Sequence, residues 1–230
     1  MRKKVDTTVV LCAVFGAILV QHWRIDTLIN DAKAKLQSGN SAAGVRLLEK
    51  AEAIRPQNAS TAFQICAAYA WDPGPEGGIN ACQRLVGRYP TQPLWSQLGQ
   101  EYLGARDFTA AAAAFEHIAP GSNEAWYLEW YVYSLLLSGQ YAKAVPACKE
   151  FRAVIANDPG SSFSPEAVDK LLAIAYDGSG DIEEAQRIYS KYQVRSCHVD
   201  VTDIGYSTPC DPVAGASPAT KSSLAVRSSF

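Results

Sequence analysis

The 230-residue chain has one methionine, at its start, and three histidines, His22, His117 and His198, scattered along its length. None of the histidines has a second metal-type ligand at helical or hairpin spacing, so no metal site is expected. Charge of one sign is also scarce. The formal net charge is −2, with no basic excess to neutralise phosphates, which argues against nucleic-acid binding. There is no P-loop, no G-x-G-x-x-G after a strand, no G-x-S-x-G elbow and no H-E-x-x-H. Catalytic residues and cofactors are therefore not assigned. The cluster Asp181, Glu183 and Glu184 reads as the acidic start of a helix, where carboxylates favour the positive end of the dipole. Apolar residues make up 48% of the chain, enough to build a core and unlike a disordered segment.

The N-terminus carries an address. Arg2, Lys3 and Lys4 form a basic patch, and an apolar run extends from Thr7 to Val20 before Gln21, His22, Trp23 and Arg24 restore polarity. The run is short for a bilayer span and reaches about twenty residues only if Val5 and Trp23 are counted. Its length suits the apolar region of a secretory signal, yet no small-x-small cleavage pair follows Val20 closely. Residues 1–24 are thus expected to be an uncleaved membrane anchor, with a cleaved signal or a buried core helix as alternatives. As a single-pass anchor, the basic end would stay cytoplasmic and the remainder would be extracytoplasmic or periplasmic.

Self-similarity organises the middle. Trp95, Leu98, Gly99 and Tyr102 give W-x2-L-G-x2-Y, followed by Ala111, Phe115 and Pro120. Pro56 and Pro90 are 34 residues apart. One small residue recurs as Gly44, Gly78, Ala111, Ala144 and Ala185, and a turn recurs as Gly39-Asn40, Arg106-Asp107, Gly139-Gln140 and Gly180-Asp181. Each segment has apolar residues at three- and four-residue spacing, the stripe of an amphipathic helix. A hairpin of such helices cannot bury its apolar face alone, but stacked neighbours can.

This pattern resembles the tetratricopeptide repeat. The resemblance implies an all-α fold of stacked antiparallel hairpins forming a right-handed solenoid, preceded by one hydrophobic helix. About five hairpins are expected over residues 25–193, with an insertion at Asn157–Ser164. In the second repeat, Asp72-Pro73-Gly74-Pro75 should end the first helix near Trp71. The second helix should start late, around Ile79, and be short. From residue 194 to 230 the pattern stops, and Ser, Pro, Thr and Gly predict an irregular tail.

In proteins of this family the first helices line a concave groove that takes partner segments. The resemblance places Phe63, Trp71, Gln100, Glu129 and Tyr133 there, an aromatic and mostly neutral lining suited to an apolar helix or extended segment. The segment Ala125–Leu137 is apolar around most of its circumference, which implies burial on every side or an exposed partner surface carried by Trp126 and Trp130. Cys66 and Cys82 fall at inward positions on the two helices of the second repeat. If the domain is extracytoplasmic, Cys66 with Cys82 and Cys197 with Cys210 are candidate disulfides, the alternative being buried thiols. Cys148 reads as a buried thiol.

The expected function is a membrane-anchored scaffold or adaptor that holds other proteins, as an accessory subunit or assembly factor of a membrane complex. A soluble periplasmic or cytoplasmic adaptor or chaperone is the alternative. An enzyme with a site in the superhelix groove ranks behind both.

Overall fold

The structure, a computed structural model, describes residues 7–54, 58–71, 75–158, 162–202 and 205–212; of residues 7–14, 75–77, 202, 205 and 206 it describes the backbone alone. Ten helices and four short strands lie among these residues, in two compact units divided between Ala105 and Arg106.

The first unit contains α1 (Thr7–Gln37), α2 (Ser41–Ala53), α3 (Ala59–Tyr69), α4 (Pro75–Arg88) and α5 (Gln92–Gly104). The C-terminal half of α1 buries Ile25, Ile29, Ala32 and Leu36, whose spacing puts them on one face against α2. The pair closes tightly because α2 presents Gly44 to that face. A Cβ at Gly44 would stand 2.5 Å from Leu36 Cγ and 3.2 Å from the Ala32 carbonyl oxygen. Gly39, at φ +78°, makes the left-handed turn that an L side chain resists, and the Asn40 side chain then accepts from the Ala43 N–H to cap α2. Further along, α3 packs on α4 and α5, and Arg84 of α4 reaches back to Glu52 of α2 through two hydrogen bonds, at 2.8 and 3.1 Å.

The second unit contains α6 (Phe108–Glu116), α7 (Ala125–Leu137), α8 (Tyr141–Ala156), α9 (Pro165–Ser179) and α10 (Ile182–Lys191). Its core is built on Phe115, Leu128, Val132, Leu135, Phe151 and Val168. Gly139 and Gly180 repeat the positive-φ turn of Gly39, and Arg106 adopts it without being glycine, at φ 59°. Asp169 on α9 binds Arg152 of α8 at 2.7 Å, Lys191 of α10 at 2.9 Å and the Tyr192 hydroxyl at 2.5 Å. Burial alone would raise this carboxyl. The hydrogen bonds from Tyr192, Lys191 and Arg152 outweigh burial and hold it below its ordinary value.

The chain then turns at Gln193, at φ 55°, into a long hairpin. Strand β1 (Val194–Cys197) pairs antiparallel with β4 (Cys210–Pro212), and β2 (Asp200–Thr202) with β3 (Gly205–Ser207). The paired register is irregular between Val194 and Ser196, where the ladder bulges. Strand β1 lies on α9 and α10.

Helix α1 runs without interruption through residues 24 and 25, where neither proline nor glycine stands to end it. Two expectations need correction. The second helix of the second repeat begins at Pro75, four residues before Ile79, since proline suits a first helical turn whose N–H would be unpaired anyway. The tail forms paired strands within residues 194–202 and 205–212; residues 203, 204 and 213–230 lie outside the described residues. The expected anchor rests largely on residues 1–6, also outside them, and on side chains 7–14. Among the described residues no helix is long and apolar enough to cross a membrane.

Two glycine substitutions should move stability in opposite directions. Gly44→Ala forces a methyl into Leu36 and is expected to cost about 1–3 kcal/mol. Gly87→Ala, on α4 with nothing within 4 Å of the added carbon, is expected to add roughly 0.5–1 kcal/mol. Urea melts of the two variants beside the parent protein read both values.

Candidate functional site: the inner helices of each unit

In the first unit, Phe63 on α3 is half-buried, and Trp71, two residues past that helix, is exposed. On α5, the half-buried Gln100 donates its amide N–H to Ser96 Oγ at 3.3 Å. Phe63 and Gln100 therefore stand on two helices that pack together, whereas Trp71 sits on the connection beyond them. Beside them, Glu101 accepts from the Gln97 amide at 2.9 Å, and its Oε2 lies 2.6 Å from where a Cβ on Gly78 would be. Burial raises the Glu101 carboxyl, against the opposing hydrogen bond from Gln97. The sulfurs of Cys66 and Cys82 are bonded, with Cα atoms 4.9 Å apart, and this tie joins α3 to α4 beneath the same region.

The second unit is different because its inner face is covered. On α7, buried residues run from Tyr127 to Glu129 and from Tyr131 to Leu136, so the helix is enclosed on nearly every side. Trp126 and Trp130, one turn apart, are its half-buried edge. Glu129 is 4% exposed and Tyr133 is 3% exposed, so these two candidate groove residues are not open surface. Tyr133 shares a side-chain hydrogen bond with Thr208, on the connection between β3 and β4. The hairpin lies on α9 and α10 through β1, and the bonded pair Cys197–Cys210, with Cα atoms 4.1 Å apart, ties its two outer strands.

Electrostatics mark this face. Burial pushes the Glu129 carboxyl up to about 8. Among the described residues it has no cationic partner. Burial, with the nearby Glu129 charge adding to it, pushes the Tyr133 phenol up to about 12. Cys148, on α8, is fully buried as a free thiol and shifted upward by that burial. No group of three or more His, Cys, Asp or Glu able to hold a metal occurs among the described residues.

Sequence reasoning did not find Thr208 or the Asp169 network. Asp169 offers no signal in isolation, since its three partners come from two other helices and a helix end. Thr208 had a faint one, the β-branched and glycine-containing stretch between Cys197 and Cys210.

Solved structures share this architecture. A crystal structure of MamA matches with a TM-score of 0.54 at 18% identity, covering 73% of this chain and 89% of that one. The fold is that of the tetratricopeptide-repeat proteins. A putative kinesin light chain of Podosopora anserina with nearly identical TPR-like repeats matches with a TM-score of 0.51 at 18% identity, covering 73% and 92%. A further MamA structure, AMB-1, gives 0.52 at 16% identity, covering 74% and 90%. No protein-family model matches the chain, and no curated protein matches it in sequence.

The buried acid of this repeat fold should be visible in a pH titration of stability. The folded protein keeps the Glu129 proton to about pH 8, and the unfolded chain releases it near 4.5. Stability should therefore fall as pH rises from about 4.5 to 8 and level off above. Glu129→Gln should remove that part of the slope. The difference between the two proteins has an upper bound of about 5 kcal/mol across the window. Denaturant melts at several pH values measure it.

Proposed function

We propose that the chain is a protein-binding scaffold held at a membrane by the start of α1, with its repeats on the extracytoplasmic side. It would serve there as an accessory subunit or assembly factor of a membrane complex. The observation that carries this reading is the condition of α1 before Ile25. Phe15, Leu19, Val20 and Trp23 are between 56% and 70% exposed on a helix that leaves the packed repeats behind. So many large apolar side chains in nine residues call for a cover that the described residues do not provide. The basic Arg2-Lys3-Lys4 ahead of them and the interfacial character of Trp23 favour lipid. Two cysteine pairs within bonding distance favour an oxidising compartment. Protein partners are inferred from the repeat fold, whose inner helices present side chains for recognition. The residues put forward for contact are Phe63, Trp71 and Gln100 in the first unit and Trp126 and Trp130 in the second.

A soluble adaptor or chaperone is the second reading. It is favoured by the absence, among the described residues, of a helix long and apolar enough to cross a membrane.

Fractionation of cells expressing the full-length protein separates the two. The anchored scaffold predicts retention in membranes through a sodium carbonate wash and co-purification, in mild detergent, of membrane proteins at fixed stoichiometry. Release of the protein by carbonate with no stoichiometric companion would overturn it and leave the soluble adaptor.

A further inference from the structure

Helix α1 passes from its exposed apolar stretch into the packed repeats without a joint. Phe15, Leu19, Val20 and Trp23 are exposed, while Ile25, on the next turn, is 1% exposed and packs with the face that meets α2. From Ala17 to Ser38 the sequence has neither proline nor glycine, and the backbone is α-helical up to Gln37. Sharp kinks need such residues or a bulge in the ladder. The bond from Thr27 Oγ1 to the Trp23 carbonyl, at 2.8 Å, bends a helix only slightly.

The same helix is locked into the first unit. Ile29, Ala32 and Leu36 are buried, and α1 packs on both α2 and α3. Short turns make the successive helices antiparallel. Gly44, early in α2, meets Ala32 and Leu36, late in α1. Gly78, early in α4, lies against the Tyr69 carbonyl, late in α3, and Glu101, late in α5. The end of α2, the start of α3, the end of α4 and the start of α5 consequently share the end of the unit where α1 enters. At 1.5 Å per residue, Ile25 stands about 3 Å beyond Trp23, and Phe63 and Gln100 lie roughly 6 and 12 Å along their helices from that end.

Resting on the membrane-anchored reading above, we infer that α1 is a rigid post and not a tether: it seats this end of the first unit on the bilayer surface and holds Phe63 and Gln100 within about 20 Å of it. Tilting α1 only lowers the unit, so the length along the helix is the upper bound of that height. The partner that fits these two residues is a juxtamembrane segment of an integral membrane protein. A segment carried on a domain farther out is beyond their reach.

The geometry makes an inversion that a tether cannot. Lys50 and Ala42 are both exposed on α2. Lys50 is farther from the anchor along the chain, yet the antiparallel hairpin sets it about 12 Å nearer the bilayer. The test uses the full chain with a fluorophore on Lys50→Cys or Ala42→Cys; four native cysteines are bonded in pairs and Cys148 is buried, so these stay unlabelled. The protein is reconstituted in phosphatidylcholine–phosphatidylglycerol vesicles holding a nickel-chelating lipid, whose metal quenches over a range comparable to the length of α2. Quenching at position 50 should exceed that at position 42 roughly threefold or more, given the difference in height. A Gly-Ser linker of about twelve residues, inserted between Arg24 and Ile25, should leave the protein on the vesicles, weaken quenching at position 50 and abolish the difference. Equal quenching at the two positions of the vesicle-bound parent, or a linker variant quenched like the parent, would overturn the inference and leave the anchor standing. Protein that does not stay on the vesicles would overturn both.

Discussion

Two helices of this chain can bury their apolar stripes against each other only where one of them has almost no side chain. Gly44 makes the point most sharply: the space its Cβ would need is taken by Leu36 and the Ala32 carbonyl. Gly78 plays the same part on α4, with the Glu101 carboxylate in the vacated volume. Ala111, Ala144 and Ala185, with one carbon each, are buried on α6, α8 and α10. Such close approach lets the large residues, Phe115, Phe151 and Tyr189 among them, fill the gaps between successive elements rather than hold the elements apart. Everything else is arranged around that spacing. The positive-φ turns at Gly39, Gly139 and Gly180 bring the next helix back at once, and the polar ties, Arg84 to Glu52 and Asp169 to its three partners, sit at the margins of the packed faces.

The repeat was legible because each of its devices is local. A small residue recurring at 34, 33, 33 and then 41 positions, and a glycine before the cap, can each be read within a few residues of sequence. Features whose cause lies elsewhere in the fold were not legible. The hairpin was missed because strands of three or four residues are too short to display a period of two. Glu129 and Tyr133 were placed by the repeat pattern on the inner face. Their burial comes with the packing of α7 on α6, α8 and α9, which no local pattern displays.

The two units therefore treat their inner helices differently. In the first, Phe63 and Gln100 remain partly open on α3 and α5, supported from behind by the Cys66–Cys82 tie. In the second, α7 is enclosed, leaving a buried acid without a cationic partner among the described residues and two half-buried tryptophans along one edge. A chain that served only as a spacer would have no use for a buried carboxyl without a cation, since such a group lowers stability wherever it must ionise.

Whether the hairpin packs on α9 and α10 in solution, closing the end of the repeat stack, is the point on which the account turns. Hydrogen exchange of the intact, oxidised protein, followed by mass spectrometry of its peptides, measures it directly. The account predicts that amides of β1 and β4 are protected, and that α7 exchanges as slowly as α8 and α9 of the same unit. Amides of 194–212 exchanging at free-peptide rates while α8 and α9 stay protected would contradict it.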